Sequence, residues 1–511
     1  MNRNLETSKS LLALIGCLCQ LTITMPARSA EITWIGGTGD WEDADNWDPN
    51  QVPAEDDTAF VNSGNAIINE NTSVVAFTLS GGQLSGSGTL TINDAMSWTG
   101  GILSGTGQTI IGADATLMVT GSASKTQRSR TLTLLGPTTF EGTGHWNAGQ
   151  GAVVNNDVLF DIKNDADLLT NNIGGAAPVF HNRGTLHKTA GSGVTRLGAA
   201  FNNSATFAVL SGTVELNGGG TGSGTFTVTG GESRIQFSNA TYNLAEGSQV
   251  RGDGVIEFVS GRVNIDGSYD VSTTRIIGGN AFFNLAAQTD TLMQSNGSQD
   301  GSAALTVITA MNWTGGILSG TGQTIIGADA RLMVTGSASK TLRSRTLTLL
   351  GPTTFEGTGD WNAGQGAVVN NDVLFDIKND ADLLTNNVGG AAPVFHNRGT
   401  ILKLNSAGTT RFGADLLNDG RVELVDSTWQ QLGSVDNNGP GTLAGTGTFD
   451  FDSQAFTAAG DIAPGNSSGV LTITGNLPHQ NTSNIHIEIG GQSPGAGYDQ
   501  LILTGHAVLL V

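Results

Sequence analysis

The segment NNDVLFDIKNDAD carries four carboxylates, Asp157, Asp161, Asp165 and Asp167, and it recurs with Asp372, Asp376, Asp380 and Asp382. Paired acids are the usual equipment of glycan-cleaving sites, where one protonates the leaving oxygen and the other attacks or activates water. If Phe160 points inward on a strand, alternation puts Asp157 and Asp161 on the outer face, while Asp165 and Asp167 fall in a turn. Solvated surface acids are the competing explanation of the same pattern.

A basic triplet, Lys125, Arg128 and Arg130, repeats as Lys340, Arg343 and Arg345 on an otherwise acidic chain. Guanidinium forks in such a group would hold an anionic glycan through paired contacts, the alternative being a counter-charge stripe against nearby acids. Trp146 and Trp361, both in WNAGQG, offer flat faces for sugar stacking or bulk for a core. Asp40, Glu42, Asp43, Asp45 and Asp48 provide oxygen donors for calcium, but no glycine-spaced calcium loop accompanies them. Arg251-Gly252-Asp253 spells RGD, a tripeptide that glycine-rich sequence produces readily. Ser/His/Asp and Cys/His nucleophile sets, phosphate loops and zinc spacings are not seen. The sequence therefore assigns no catalytic residue, no cofactor and no metal ligand, and it leaves the six basic residues as the candidate glycan contacts.

What positions these residues is a repeat. Met96–Thr185 aligns without a gap to Met311–Thr400, and only Ser97/Asn312, Thr116/Arg331, Gln127/Leu342, His145/Asp360 and Ile173/Val388 differ. An enzyme built round one site rarely accepts a whole block pasted into its middle, whereas an array that grows by adding units accepts it. Seventy-four glycines disfavour helix, since each costs about 1 kcal/mol in a helix interior. Short alternating runs such as TFTVTG and LTITG read as strands.

Within the first copy Phe140, Phe160, Phe180 and Phe201 are spaced by 20, 20 and 21 residues, and Phe355, Phe375, Phe395 and Leu416 follow in the second. Leu84 and Leu103 start the same period earlier. A step of about 20 residues is one coil of a parallel β-helix, in which like residues stack on the coil above. The phenylalanines are accordingly expected in one inward ladder per copy. Asparagine pairs, at 155–156, 171–172, 202–203, 370–371, 386–387 and 437–438, fit sharp corners and side-chain stacks. Glycines of GILSGTGQ serve as further corners. The 215-residue offset between copies would keep every face aligned if it held a whole number of coils, ten or eleven.

Residues 1–29 read as an export signal, with Arg3 and Lys9 before an apolar stretch from Leu11 to Met25 and small residues for cleavage after Ser29 or Ala30. The alternative is a lipobox, Leu14-Ile15-Gly16-Cys17. Both cysteines, Cys17 and Cys19, lie inside the signal, so the mature chain has none and relies on packing and hydrogen bonds. Loss of Arg3, Lys9, Arg28 and Glu6, a net +2, takes the formal charge from −21 to −23. Such a surface repels nucleic acid and anionic lipid, and no second apolar run has the roughly 18 residues of a membrane span. Residues 30–75 read as a tryptophan-rich acidic cap with the first coils, 76–455 as the array, and 456–511 as the last coils.

The run G-x-x-x-P-G-x-S-x-G-x-L-x-I-x-G at Gly460–Gly475, followed by IHIEIGG and YDQLILTG, resembles the C-terminal passenger region of bacterial autotransporter-type adhesins and related surface β-helix proteins. The pattern W-x-x-x-x-G-x-W-x-x-x-x-N-W at Trp34–Trp47 looks like the start of such secreted proteins. The resemblance implies a right-handed parallel β-helix exposed outside a Gram-negative cell, although no translocating barrel or sorting tail is recognisable up to Val511. The expectation is an all-β, capped parallel β-helix, secreted or on the outer cell surface, acting in adhesion or structural display with polysaccharide or cell-surface ligands. A polysaccharide lyase or hydrolase on the same scaffold is the alternative.

Overall fold

The computed structural model describes residues 29–404, 406–452 and 454–510. The export signal and its cysteines lie outside the described residues but for Ser29. From the cap onward the chain is a parallel β-solenoid of about 20 turns, each about 21 residues long. Among the described residues the one helix is a 3-10 turn, Ala44–Asn46.

Over most of the rod each coil contributes three short strands, one to each of three faces. Face A runs through Gln108–Ile111, Thr131–Leu134, Val153–Asn156, Val179–Asn182 and Ala200–Asn203. Face B runs through Thr116–Val119, Thr138–Phe140, Leu159–Ile162, Thr185–Lys188 and Thr206–Val209. Face C runs through Lys125–Arg128, Trp146–Gly149 and Leu168–Thr170, then Val194–Leu197 and Thr213–Leu216. Strand alternation turns every second side chain inward, so Leu132, Val154, Phe160, Leu186 and Phe207 are fully buried in one continuous core. Between Gln249 and Trp313 faces B and C merge into long bent strands, Gln249–Phe258, Ser268–Ile276, Ala287–Gln294 and Ala304–Trp313, with register skips at several of the bends.

Corner glycines behave as the sequence suggests. Gly105 and Gly320 have φ of 80° and 84°, and a Cβ on Gly105 would meet the carbonyl oxygen of Gly86 at 2.2 Å. The asparagines meet the stacking half of their expectation and not the corner half. Asn156, Asn182 and Asn203 are buried at strand ends on face A and donate up the stack, Asn156 to Asn182 and Asn182 to Asn203 at 2.7 Å each. Asn371, Asn397, Asn418 and Asn437 repeat this at 2.7–2.8 Å. None of them takes positive φ, so they act as an internal hydrogen-bond ladder and not as left-handed corners. Asn172 and Asn387 stay exposed and reach outward-facing Asn147 and Asn362.

The phenylalanines are inward, but the single ladder is corrected. Phe160 lies on face B and Phe180 on face A; their rings meet at 5.6 Å across the core. Phe140 is registered with Ile162, while Phe180 does stack on Phe201 and Phe395 on Leu416. Coil lengths are unequal, which explains the miss. The loop from 171 to 178 makes the step from Phe160 to its register partner Leu186 26 residues, so a 20-residue step from Phe160 ends one face short.

The same counting corrects the alignment of the copies. Ten pairings carry face A from Thr131–Leu134 up to Lys340–Arg343. The equivalent of Thr131–Leu134 is Thr346–Leu349, which lies on face B, in the ladder with Gln323–Ile326 and Val368–Asn371. The offset is thus ten coils plus one face, and each element of the second copy sits one face further round the rod than its twin.

At the N-terminal end Glu31–Trp34 pairs antiparallel with Trp47–Asp48, the one antiparallel ladder between strands among the described residues. Trp34, Trp41 and Trp47 are buried and meet edge to face at 5.0 and 4.6 Å, closing the first coil against further strand pairing.

Candidate functional site

Four of the six basic candidates are inside the rod. Lys125, Arg130, Lys340 and Arg345 have no exposed surface, and from those positions they cannot touch a glycan. The reason is strand phase: Lys125 and Gln127 alternate inward on Lys125–Arg128, and Ser129 at φ 56° turns Arg130 inward as well. The Arg130 guanidinium donates to Thr109 Oγ1 and to the carbonyl oxygens of Ser104, Gln108 and Gly88, and burial lowers it to about 10. Lys125 donates to Gly121 O at 3.2 Å, and burial lowers it too. Arg128 and Arg343 alone remain part-exposed. Trp146 and Trp361 are fully buried and pack on Trp98 and Trp313 at 4.8 and 5.0 Å, so they are core and not sugar platforms.

The four acids are outside, as alternation requires, but each is tied to a base. Asp157 takes a forked pair from Arg183 at 2.6 and 3.3 Å. Asp161 lies 3.6 Å from Lys163 and 3.5 Å from His187. Asp165 meets buried Lys188 at 2.8 Å, and Asp167 lies 3.6 Å from Arg196. In the second copy Lys403 holds Asp380 at 2.7 Å; burial there raises the carboxyl, but hydrogen bonds from Lys403 and Ser406 outweigh it and leave it below its ordinary value.

Asp165 nevertheless borders an open corner pocket of about 480 Å³ with Glu141, Thr143, His145, Lys163, Asn164 and Gly191. Three successive coils build it: Phe140, Ile162 and Lys188 are register neighbours, so the residues after them stack at the B–C corner. His145 Nδ1 accepts from the Asp167 amide at 2.9 Å, which leaves Nε2 for the pocket side. In the second copy Asp360 takes the same amide role toward Asp382 at 3.2 Å, so the imidazole belongs to the first copy only. Glu141 and Lys188 carried no signal in spacing. Lys188 was legible only in phase, since TLHK places it, like Leu186, on inward positions.

Asp43 caps the 3-10 turn through Asp45 N, Asp45 takes Asn50, and among the described residues no three His, Cys, Asp or Glu side chains gather as a metal site. Among the described residues no helix is long and apolar enough to cross a membrane. No protein-family profile, curated protein or solved structure matches the chain.

Proposed function

We propose that the chain is an exported rod that works outside the cell or on a Gram-negative-type surface, in adhesion or structural display. The observation that carries this reading is the one-face offset between the copies. A duplicated binding face gains avidity on one surface only if both copies look the same way. Here the twins look in neighbouring directions, and what the duplication conserves is the edge by which coils stack. The acidic surface and the lack of cysteine after residue 19 fit a solvated extracellular rod held by backbone hydrogen bonds. The test uses the chain from residue 30 on beads, scored for retention on cells and polysaccharide-coated surfaces without turnover. Retention without sugar release is expected, and steady release of shortened or unsaturated sugars would overturn the reading.

One observation favours a second reading, an enzyme acting on polysaccharide. The corner pocket places Glu141 near Asp165 with an imidazole that occurs in one copy only. An acid, a base and an open groove are the minimum for glycoside cleavage. Sugar release that is lost in Glu141→Gln would establish it.

A further inference from the structure

The merged strands between the two copies border an open surface groove. Its volume is about 410 Å³, and it is lined by Thr227, Arg251, Asp253, Asp270, Ser272 and Asp290, with Gly252 and Val271 as floor. Thr227, Arg251 and Asp270 are register neighbours on successive coils and form one wall. Asp253, Ser272 and Asp290 follow the bends of three successive strands and form the other. Gly252 makes the bend possible: its φ is 134°, and a Cβ there would meet Val228 O at 1.9 Å. With coils about 4.8 Å apart, four of them give a groove roughly 14 Å long, parallel to the rod axis.

Some arginines of the rod pair with acids on a neighbouring coil, and Arg251 is, among the described residues, one of those that do not. Arg183, Arg196, Arg275, Arg398 and Arg411 each close on a carboxylate one coil away, at 2.6–3.2 Å. Arg251 has Asp270 as its register neighbour, yet among the described residues it forms no such pair. A guanidinium fork, carboxylates and two hydroxyls are thus held side by side, open to solvent. This mixture matches vicinal sugar hydroxyls, which donate to carboxylates and accept from guanidinium. Three acids against one base exclude an acidic chain, and Arg251 at the centre opposes a polycation.

We propose that this groove binds one extended, uncharged polysaccharide strand along the rod axis, across about three sugar rings. The proposal deepens the display reading and rests on it, while moving the glycan contacts from the basic sextet to Arg251, Asp270 and Asp290. It inverts the expected ligand from acidic to neutral.

The test is calorimetric titration of the chain from residue 30 with hexasaccharides of three charges: neutral (cello-, manno-, malto- and N-acetylchito-), cationic (fully deacetylated chito-) and anionic (polygalacturonate). Binding of a neutral hexamer that changes less than about twofold between roughly 0.05 and 0.5 M salt is expected. Arg251→Ala and Asp270→Asn should each weaken it about tenfold or more, with unchanged circular dichroism, and Asp114→Asn, on another coil, should not. Binding of the cationic hexamer alone would make the groove a simple charge trap and overturn the proposal. So would binding of the anionic one, failure of every neutral hexamer, or neutral binding that survives both variants. Where the groove fails in any of these ways, retention of the chain on cells would still leave the display reading standing.

Discussion

Arg130 reaches back 42 residues to the carbonyl oxygen of Gly88, two coils down the rod, at 3.2 Å. With its bonds to Ser104 O, Gln108 O and Thr109 Oγ1, one buried guanidinium staples three coils at a corner. Arg345 does the same through Thr324, Ser319, Gln323 and Ala303. Neither makes an ion pair among the described residues; neutral oxygens hold the Arg130 guanidinium, and Arg345 has the charge of nearby Asp300 in addition. Corner carbonyls that lie off the parallel ladders need donors, and arginine with five N–H groups supplies them most compactly.

Arg130→Met is expected to destabilise. It relieves the desolvation of one cation but strands several buried oxygens, each costing about 1–3 kcal/mol, so a net loss of roughly 3 kcal/mol follows. Urea unfolding gives the global value, and amide exchange should show the loss concentrated from Gly88 to Arg130. Arg345→Met should destabilise as well, through the same stranded oxygens, although Asp300 adds a charge near Arg345 that Arg130 lacks.

Asn182 sits mid-ladder, accepting from Asn156 and donating to Asn203 Oδ1 and Thr206 O. Asn182→Asp keeps the shape but replaces the donor by an acceptor that meets two others. Burial would raise that carboxyl above its unfolded value, so its proton is kept when folded. Stability is then near wild type at low pH and is lost as pH rises from the unfolded toward the folded value. A melting-temperature deficit that is large at pH 7 and small at pH 3 is the expected result.

Much of the architecture was legible because strand alternation and a coil period survive in composition alone. Leu84 on Leu103 and Phe180 on Phe201 lie where spacing put them. What spacing hid was phase. A loop of variable length at one corner shifts every later residue by part of a coil, and Phe160 and Phe180 part company for that reason. The basic triplet misled similarly: charge suggests surface, but Lys125 and Arg130 fall on inward positions where backbone carbonyls await them. The tripeptide Arg251-Gly252-Asp253 stood out in the sequence, but the groove it lines did not, since that depends on two faces merging.

Glu42 in the cap is raised above its ordinary value, first by burial and then by Glu70 and Asp40. A carboxyl raised in the folded state costs nothing while protonated in both states. Its penalty appears as pH passes the unfolded value and is complete above the folded one. Glu42→Gln should therefore raise the melting temperature modestly at pH 7 and leave it unchanged at pH 3. An equal rise at both values would show that charge is not the cause.

Deletion of residues 96–310 tests whether the one-face offset is as harmless as the coil geometry implies. The deletion joins Ala95 to Met311, and since Met311 begins the second copy as Met96 begins the first, the strand Thr89–Trp98 is rebuilt with one change, Asn312 for Ser97. Below it the pairing to Thr72–Leu79 is the native one. Above it, block residues follow in native order, and every later coil moves back by one face without any edge meeting a foreign neighbour. A sum of coil and neighbour terms then predicts a shorter folded rod, with strand-type circular dichroism per residue unchanged and a urea m-value reduced in proportion to length. Deleting ten coils and no more, for example residues 131–339, keeps the faces in place but joins Arg130 to Lys340, so that corner residues Ser129 and Arg130 meet a strand that is not theirs. That shorter cut should fold less well than the longer one, and the reverse order would refute the view that matched edges, and not aligned faces, are what the repeat preserves.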